Sequence, residues 1–134
     1  MKDEEIKRTL TTCRTVAVVG ISPKQDRPSF LVASYLKSKG YRIIPVRPDG
    51  DILLGEKVYR SLLDIPKEIS IDIVDVFRRS EEVPPIVEEA IQRGAKVVWM
   101  QEGVIHQEAG DKAERAGLKV VMDRCMKKEH QRLL

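Results

Sequence analysis

A glycine, two cations and a helix start lie close together in residues 15–29 and could bind phosphate. The apolar run TVAVV ends at Gly20, a polar loop carrying Lys24 and Arg27 follows, and Pro28 and Ser29 open an amphipathic segment. Backbone N–H groups at a helix start lack intrahelical partners, and the helix dipole favours negative charge there. The pattern predicts that a phosphate-bearing nucleotide binds at Gly20, Ile21, Ser22, Pro23, Lys24, Gln25, Arg27 and Ser29.

The loop departs from the common dinucleotide fingerprint G-x-G-x-x-G, because Gly20 is its only glycine. Arg47 follows the second predicted strand, where an NAD-binding protein carries Asp or Glu for the ribose hydroxyls. An arginine there suits a phosphorylated ribose. These residues leave open NADP, phosphorylated at the 2′ position, and coenzyme A (CoA), phosphorylated at the 3′ position. We also expect Gly20→Val to abolish binding without unfolding the domain, because a side chain would crowd the phosphate.

Two further strand ends carry side chains that could contact the same ligand. Strand carboxyl ends in an open parallel sheet face the ligand crevice. Phe77 offers an apolar face for an adenine or a flexible arm, and one of Arg78 and Arg79 is expected to reach a phosphate. Gln101 and the backbone near Gly103 offer hydrogen bonds to amides. The predicted ligand-binding residues at these two ends are Phe77, Arg78, Arg79, Met100, Gln101, Glu102 and Gly103.

Strands alternate with helices along the chain. Apolar runs predict strands at residues 16–19, 41–46, 72–76, 96–100 and 118–122, and residues 55–59 carry mixed signals for a short or edge strand. Helical spacing predicts helices at residues 3–13, 28–40, 84–94 and 105–116, followed by a basic tail. We therefore expect one α/β domain over residues 1–134, Rossmann-like and doubly wound. Its mostly parallel sheet has five or six strands, with helices on both faces.

Composition excludes several classes of function. The net charge of +3 is small and the basic residues are interleaved with acids, so we expect no nucleic-acid partner. No apolar run is long enough to span a membrane, and the charged start MKDEEIKRTL is unlike a secretion signal. The 2 cysteines do not form a disulfide framework or a metal cluster. These features predict a cytoplasmic protein with reduced thiols and no membrane or metal binding.

Cys125 is the one candidate for a reactive side chain. Arg124, Lys127 and Lys128 flank it, and neighbouring positive charge favours the reactive thiolate form of a cysteine. A thiolate beside a bound CoA could form a mixed disulfide, although an unreactive packed thiol is the simpler interpretation. His106 and His130 each stand alone in the sequence, outside any nucleophile or metal motif. No catalytic residue is therefore predicted.

The segments at the strand ends resemble those of the CoA-binding domain family. Its members are stand-alone relatives of the CoA-binding N-terminal domain of the succinyl-CoA synthetase α subunit. Residues 20–25, GISPKQ, resemble the synthetase phosphate loop G-F-T-G-K-Q. The stand-alone proteins carry segments similar to DRPS at 26–29, PVRP at 45–48, VFRR at 76–79, WMQEGV at 99–104 and MDRC at 122–125.

The resemblance implies that CoA or an acyl-CoA binds at the carboxyl ends of the strands. The adenosine phosphates would meet the loop of residues 20–29 and Arg47, and the pantetheine arm would pass Phe77 and residues 101–103. The synthetase's active-site histidine lies in a later domain that these residues do not include, so its activity does not follow. We predict binding without catalysis of the protein's own. An NADP-dependent oxidoreductase remains the enzymatic alternative. A regulatory or scaffold subunit that senses a nucleotide also stays open, as does a protein partner or homo-oligomer.

Overall fold

The computed structural model describes residues 1–134 and contains a parallel sheet of five strands in the order β2-β1-β5-β6-β7. The strands in chain order are β1 (Thr15–Val19), β2 (Arg42–Val46), β3 (Ile52–Leu53), β4 (Glu56–Lys57), β5 (Ile73–Val76), β6 (Val97–Met100) and β7 (Lys119–Val121). β3 and β4 form a separate antiparallel hairpin. The predicted fold class is confirmed.

Helices cover both faces of the sheet. They are α1 (Asp3–Thr12), α2 (Pro28–Ser38), α3 (Val83–Gln92), α4 (Gln107–Arg115) and α5 (Met126–Leu133), with short 3-10 turns at Leu62–Asp64 and Ser80–Glu82. One apolar core joins α1, α2 and α5 to one face of the sheet, and the other joins α3 and α4 to the opposite face. Because β5 and β6 are buried on both faces, neither sequence alternates: β6 is a continuous apolar run, and β5 is apolar except for Asp75. No helix is both long and apolar enough to cross a lipid bilayer.

The winding of the chain reverses between β1 and β5. From β1 the chain leads through α2 to β2 on one side, whereas β5, β6 and β7 continue on the other side. β1 and β5 are hydrogen-bonded neighbours, with Val19 in register with Val76. Such a reversal opens a crevice above the carboxyl ends of the two strands, and ligands bind there in open α/β sheets.

The basic tail of the sequence is helical, which the spacing of its apolar residues did not predict. Met126 is fully buried and begins α5, which packs on the same face as α1 and α2. Arg132 joins α5 to α1 by hydrogen bonds of 2.8 Å to both carboxylate oxygens of Asp3. The helix is therefore held by contacts with residues more than a hundred positions away.

Arg93, at the end of α3, secures the long connection between β2 and β5. Its Nη1 donates to the carbonyl oxygens of Leu62 at 2.6 Å and Ile65 at 2.7 Å. Its Nη2 donates to those of Pro66 at 3.2 Å and Ile69 at 3.1 Å. One guanidinium thereby satisfies carbonyl groups of a segment that has little regular structure of its own.

Candidate functional site

Gly20 lies at the switch point, where the end of β1 touches the end of β5. Its φ is +89°, a left-handed conformation that favours glycine. A Cβ at this position would overlap the carbonyl oxygen of Phe77 and lie 2.7 Å from Cδ of Arg78. The expectation that Gly20→Val leaves the fold intact is therefore revised: a side chain here collides with backbone of the neighbouring strand. The close approach of Gly20 to the Phe77 carbonyl therefore requires glycine, whether or not a ligand is bound.

The loop after Gly20 is ordered by two serines. The N–H of Ser22 donates to Oγ of Ser29 at 2.9 Å, and the N–H of Lys24 donates to Oγ of Ser22 at 3.1 Å. The N-cap residue of α2 is Arg27, so the helix begins without a side-chain cap and without an acidic residue in its first turn. The N–H groups of Ser29 and Phe30 donate to no protein atom. They are free to bind an anion.

The loop cations are exposed and have no carboxylate partner. Lys24 and Arg27 take part in none of the ion pairs of the structure, and both line the surface pocket above Gly20. Pro23 and Gln25 are exposed beside them, whereas the side chain of Ile21 is buried in the core. The loop thus presents free N–H groups and unpaired positive charge to solvent, which suits phosphate.

Arg47 connects the end of β2 to this loop. Its Nη1 donates to the carbonyl oxygen of Ile21 at 3.2 Å. Its Nη2 contacts Oδ1 of Asp49 at 2.6 Å, and its Nε donates to the Asp49 carbonyl oxygen at 2.9 Å. A guanidinium carries two N–H groups on each Nη, so each of these nitrogens keeps an N–H for a ligand. The sequence predicted that Arg47 lies at the site, but only the structure shows its ion pair with Asp49.

A cleft of about 620 Å³ continues from the loop past the ends of β5 and β6. Pro28 and Phe77 line both this cleft and the pocket above Gly20, so the two are contiguous. The cleft is lined by Pro28, Val32, Phe77, Arg78, Arg79, Glu82, Gln101, Glu102, Val104 and Cys125. Its surface combines an apolar wall with charged and amide side chains, which suits an extended organic arm that carries polar groups.

The two arginines after β5 share the carboxylate of Glu82, and Arg79 also pairs with Glu81 at 3.5 Å. Arg78 forms an ion pair with Glu82, and Arg79 contacts the same carboxylate at 3.0 Å. The hydrogen bonds from Arg78 and Arg79 lower the pKa of Glu82 to about 2. Arg79 is 76% exposed and Arg78 is 34% exposed, so Arg78 is the one held against the crevice.

The four predicted residues at the end of β6 have different environments. Met100 is fully buried in the core on the α3 and α4 side, so its side chain does not line the cleft. Gln101 is buried at the floor of the cleft, and exposed Glu102 pairs with Lys128 at 3.0 Å. Gly103 donates its N–H to Oδ1 of Asp123 at 2.7 Å. The structure thus brings Gln101 and Glu102 to the cleft.

Two acidic residues near the site were missed by sequence analysis. Asp75, in the middle of β5, is fully buried and hydrogen-bonded to Gln101 at 2.7 Å. Asp123 has a φ of 59° at the end of β7 and fixes the loop that follows β6. A charged residue inside the apolar run IVDVF was the signal for Asp75. Asp123 had no comparable signal, because Asp is common in turns.

Cys125 lies on the wall of the cleft and is 9% exposed, and no side chain hydrogen-bonds to its sulfur. Cys13 is buried elsewhere, and burial raises the pKa of its thiol. The histidines lie outside the cleft: Nδ1 of His106 accepts the N–H of Ala109 at the start of α4, and His130 pairs with the hydroxyl of Tyr35 at 2.8 Å. No group of three or more His, Cys, Asp or Glu side chains could hold a metal ion.

Known proteins resemble this chain over most of its length. The uncharacterized protein YneT of Bacillus subtilis is 43% identical over 126 residues, which cover 94% of this chain and 92% of YneT. The structure of a hypothetical protein from Pyrococcus horikoshii OT3 matches with a TM-score of 0.94 at 44% identity, covering 99% of this chain and 92% of that one.

A longer relative is the ADP-forming acetate–CoA ligase II of Archaeoglobus fulgidus. It is 35% identical over 117 residues, which cover 84% of this chain but 17% of the ligase. A family model described as a CoA binding domain matches residues 14–131. This match includes the loop after β1 and all the strand ends that form the crevice, so the chain belongs to the CoA-binding domain family.

Proposed function

We propose that this protein binds CoA or an acyl-CoA at the carboxyl ends of β1, β2, β5 and β6, without catalysis of its own. The observation that carries the proposal is the junction of two different surfaces at Pro28 and Phe77. On one side lies a cationic loop with free N–H groups, and on the other a mainly apolar cleft with a buried amide. CoA has the same two halves, a phosphorylated adenosine and a pantetheine arm.

The phosphates of the ligand belong at the loop. The free N–H groups of Ser29 and Phe30 and the unpaired side chains of Lys24 and Arg27 supply donors and charge there. Arg47 borders the same loop through Ile21 and keeps N–H groups for the 3′-phosphate. The pantetheine arm would then follow Phe77 into the cleft, where Gln101 offers its amide.

The absence of an evident catalytic pair supports binding rather than chemistry. Cys125 is the only nucleophile on the cleft wall, and no base contacts it. The Archaeoglobus relative is a CoA ligase, but the chain spans 17% of its length. The similarity therefore supports a shared CoA-binding part. That this protein is cytoplasmic, and that it assembles with itself or with a protein partner, remain predictions.

Calorimetric titration with CoA, dephospho-CoA, NADP and NAD tests the proposal. We expect CoA to bind most tightly, and a micromolar dissociation constant would correspond to about 8 kcal/mol. Equal or tighter binding of NADP would favour the oxidoreductase alternative, because Arg47 could serve a 2′-phosphate equally well. Failure of all four ligands to bind would refute the proposal.

The role of Arg47 has a matched control on the same strand. We expect Arg47→Ala to weaken CoA by about 1.5–3 kcal/mol, the usual contribution of a charge-assisted hydrogen bond, and to weaken dephospho-CoA less. Arg42 begins the same strand at its other end and pairs with Glu56 at 3.2 Å, so Arg42→Ala should leave both affinities unchanged. Equal losses for CoA and dephospho-CoA with Arg47→Ala would show that it does not contact the 3′-phosphate.

A further inference from the structure

A fully buried carboxylic acid lies beneath the cleft. Asp75 is 0% exposed and lies in the central strand β5, in register with Val18 of β1 and Trp99 of β6. Its Oδ1 accepts a hydrogen bond of 2.7 Å from Nε2 of Gln101, and its Oδ2 is the one fully buried side-chain oxygen or nitrogen without a partner. A buried carboxylate with an unsatisfied oxygen is costly, so this residue needs an explanation beyond packing.

Gln101 joins Asp75 to the ligand cleft. It follows β6, is 3% exposed, and lines the cleft. Its Nε2 end is held by Asp75, while its Oε1 accepts no hydrogen bond from the protein. Because Oε1 is not among the fully buried unpaired atoms, its remaining access is to the cleft. The amide thus has one end fixed by Asp75 and the other presented to a ligand.

The protonation state of Asp75 decides whether Gln101 presents its amide oxygen or its NH₂ group to the cleft. An ionised carboxylate only accepts hydrogen bonds, so it must face the NH₂ of Gln101, which leaves the amide oxygen toward the cleft. A protonated carboxyl can donate to the amide oxygen, and the amide then turns its NH₂ toward the cleft. The cleft floor accordingly offers an acceptor in one state and a donor in the other.

Several other titratable groups on this face of the sheet have partners of their own, whereas Cys13 and Cys125 are buried free thiols. Glu129 on α5 pairs with Arg132 and Arg124, His130 bonds to Tyr35, and the hydroxyl of Tyr41 donates to Leu10. On α2 and beside it, Lys37 bonds to the Leu54 carbonyl, and Lys39 and Lys127 lie over the ring of Tyr35. Cys125 borders the same cleft.

Burial is the largest influence on the pKa of Asp75 and raises it to about 7, so the ionised and the protonated carboxyl are both populated near neutral pH.

We propose that Asp75 is a positioning residue which, through Gln101, sets the hydrogen-bonding polarity of the cleft floor, so that recognition of a ligand carbonyl there is linked to uptake of one proton from solvent. The inference rests on the proposed function, because the carbonyl is that of a pantetheine amide or an acyl thioester. A ligand carbonyl needs the NH₂ of Gln101, which is available only with protonated Asp75. Affinity should therefore fall up to tenfold per pH unit above the midpoint of the Asp75 titration.

The first test needs no ligand. In the wild-type protein, NMR should show the carboxyl carbon of Asp75 and the side-chain amide of Gln101 titrating with one common midpoint. The change at Gln101 should disappear in Asp75→Asn and persist in His130→Gln, a control for the histidine near this face. A Gln101 amide that ignores the Asp75 titration would overturn the proposal, and this outcome can be read on the wild type alone.

The second test measures the protons taken up on binding. Calorimetry with acetyl-CoA at pH 8, in buffers of different ionisation enthalpy, should give proton uptake for the wild type and His130→Gln. It should give less uptake for Asp75→Asn, in which an amide donor to Gln101 is permanent. The affinity of Asp75→Asn should also lose the pH dependence that the wild type shows beyond the ligand's own ionisation. Binding with equal uptake in both proteins refutes the role of Asp75, whereas no binding by the wild type refutes the proposed function instead.

Discussion

Comparison of alanine variants at Gly20 and Gly40 separates the cost of a left-handed backbone from the cost of steric overlap. Gly20 and Gly40 have nearly the same φ, +89° and +94°. A Cβ at Gly40 would meet nothing within 4 Å, whereas one at Gly20 would overlap the Phe77 carbonyl oxygen. Alanine in the left-handed region costs about 1–2 kcal/mol, so Gly40→Ala should destabilise by about that amount less the entropy gained in the unfolded chain. Gly20→Ala carries the same terms plus about 1–3 kcal/mol for overpacking.

Urea denaturation of the two variants measures this difference. Trp99 is the only tryptophan, is fully buried, and donates to the carbonyl oxygen of Arg124 at 2.7 Å, so its fluorescence reports unfolding of the sheet. With a urea m-value of about 1–3 kcal/mol/M, Gly20→Ala should unfold at a midpoint roughly 1 M below that of Gly40→Ala. Equal midpoints would refute the reasoning, because they would mean that the loop moves away from β5 at no cost.

Three further predictions concern other parts of the molecule. Arg93→Met should lower the free energy of unfolding by about 3 kcal/mol or more, because four carbonyl oxygens lose a charged donor, whereas exposed Arg8→Met should change it little; equal urea midpoints would contradict this. Since burial raises the pKa of Asp75 to about 7, the folded protein binds more protons than the unfolded chain between about pH 4 and 7. The contribution of Asp75 to stability should fall across that range by up to about 4 kcal/mol and level off above it, and Asp75→Asn should remove this part of the slope. The thiolate of Cys125 should attack CoA disulfide, releasing CoA thiolate and leaving a mixed disulfide that intact-mass spectrometry detects on the wild type and on Cys13→Ser. Absence of the adduct on the wild type, or its presence on Cys125→Ser, would make the thiol structural.

The fold followed from the sequence because its main signals are local. Apolar runs mark β1, β5 and β6, interrupted in β5 only by Asp75, and Pro84 and Pro85 open α3 as the sequence predicts. The helix α5 did not follow, because its eight residues are mostly polar. Its stability depends on burial of Met126 and on the hydrogen bond from Arg132 to Asp3. Asp3 is 129 positions away in the sequence, so local residue patterns could not predict this contact.

The place of the candidate site followed from topology, but the ion pairs of its side chains did not. Parallel strands bring their carboxyl ends to one edge, so Gly20, Arg47, Phe77 and Gln101 could be assigned to one crevice in advance. The partners of Arg47 and Arg78 could not, because acidic residues are abundant and only side-chain geometry selects Asp49 and Glu82. Met100 was wrongly assigned to the site. Side chains alternate along β6, and that of Met100 points into the core beneath α3 and α4.

The cations of the crevice differ in how much of their charge is available to a ligand. Arg47, Arg78 and Arg79 each contact a carboxylate, so a phosphate must share or displace that partner and the net gain is reduced. Lys24 and Arg27 have no such partner and lie beside free N–H groups. Phosphate affinity should therefore depend mainly on the loop, where exposed charge is screened by salt. If the ligand arm reaches the buried Gln101 as proposed, discrimination between arms should depend on that residue, where salt has little effect. Raising ionic strength should thus weaken CoA binding without changing the preference among acyl groups.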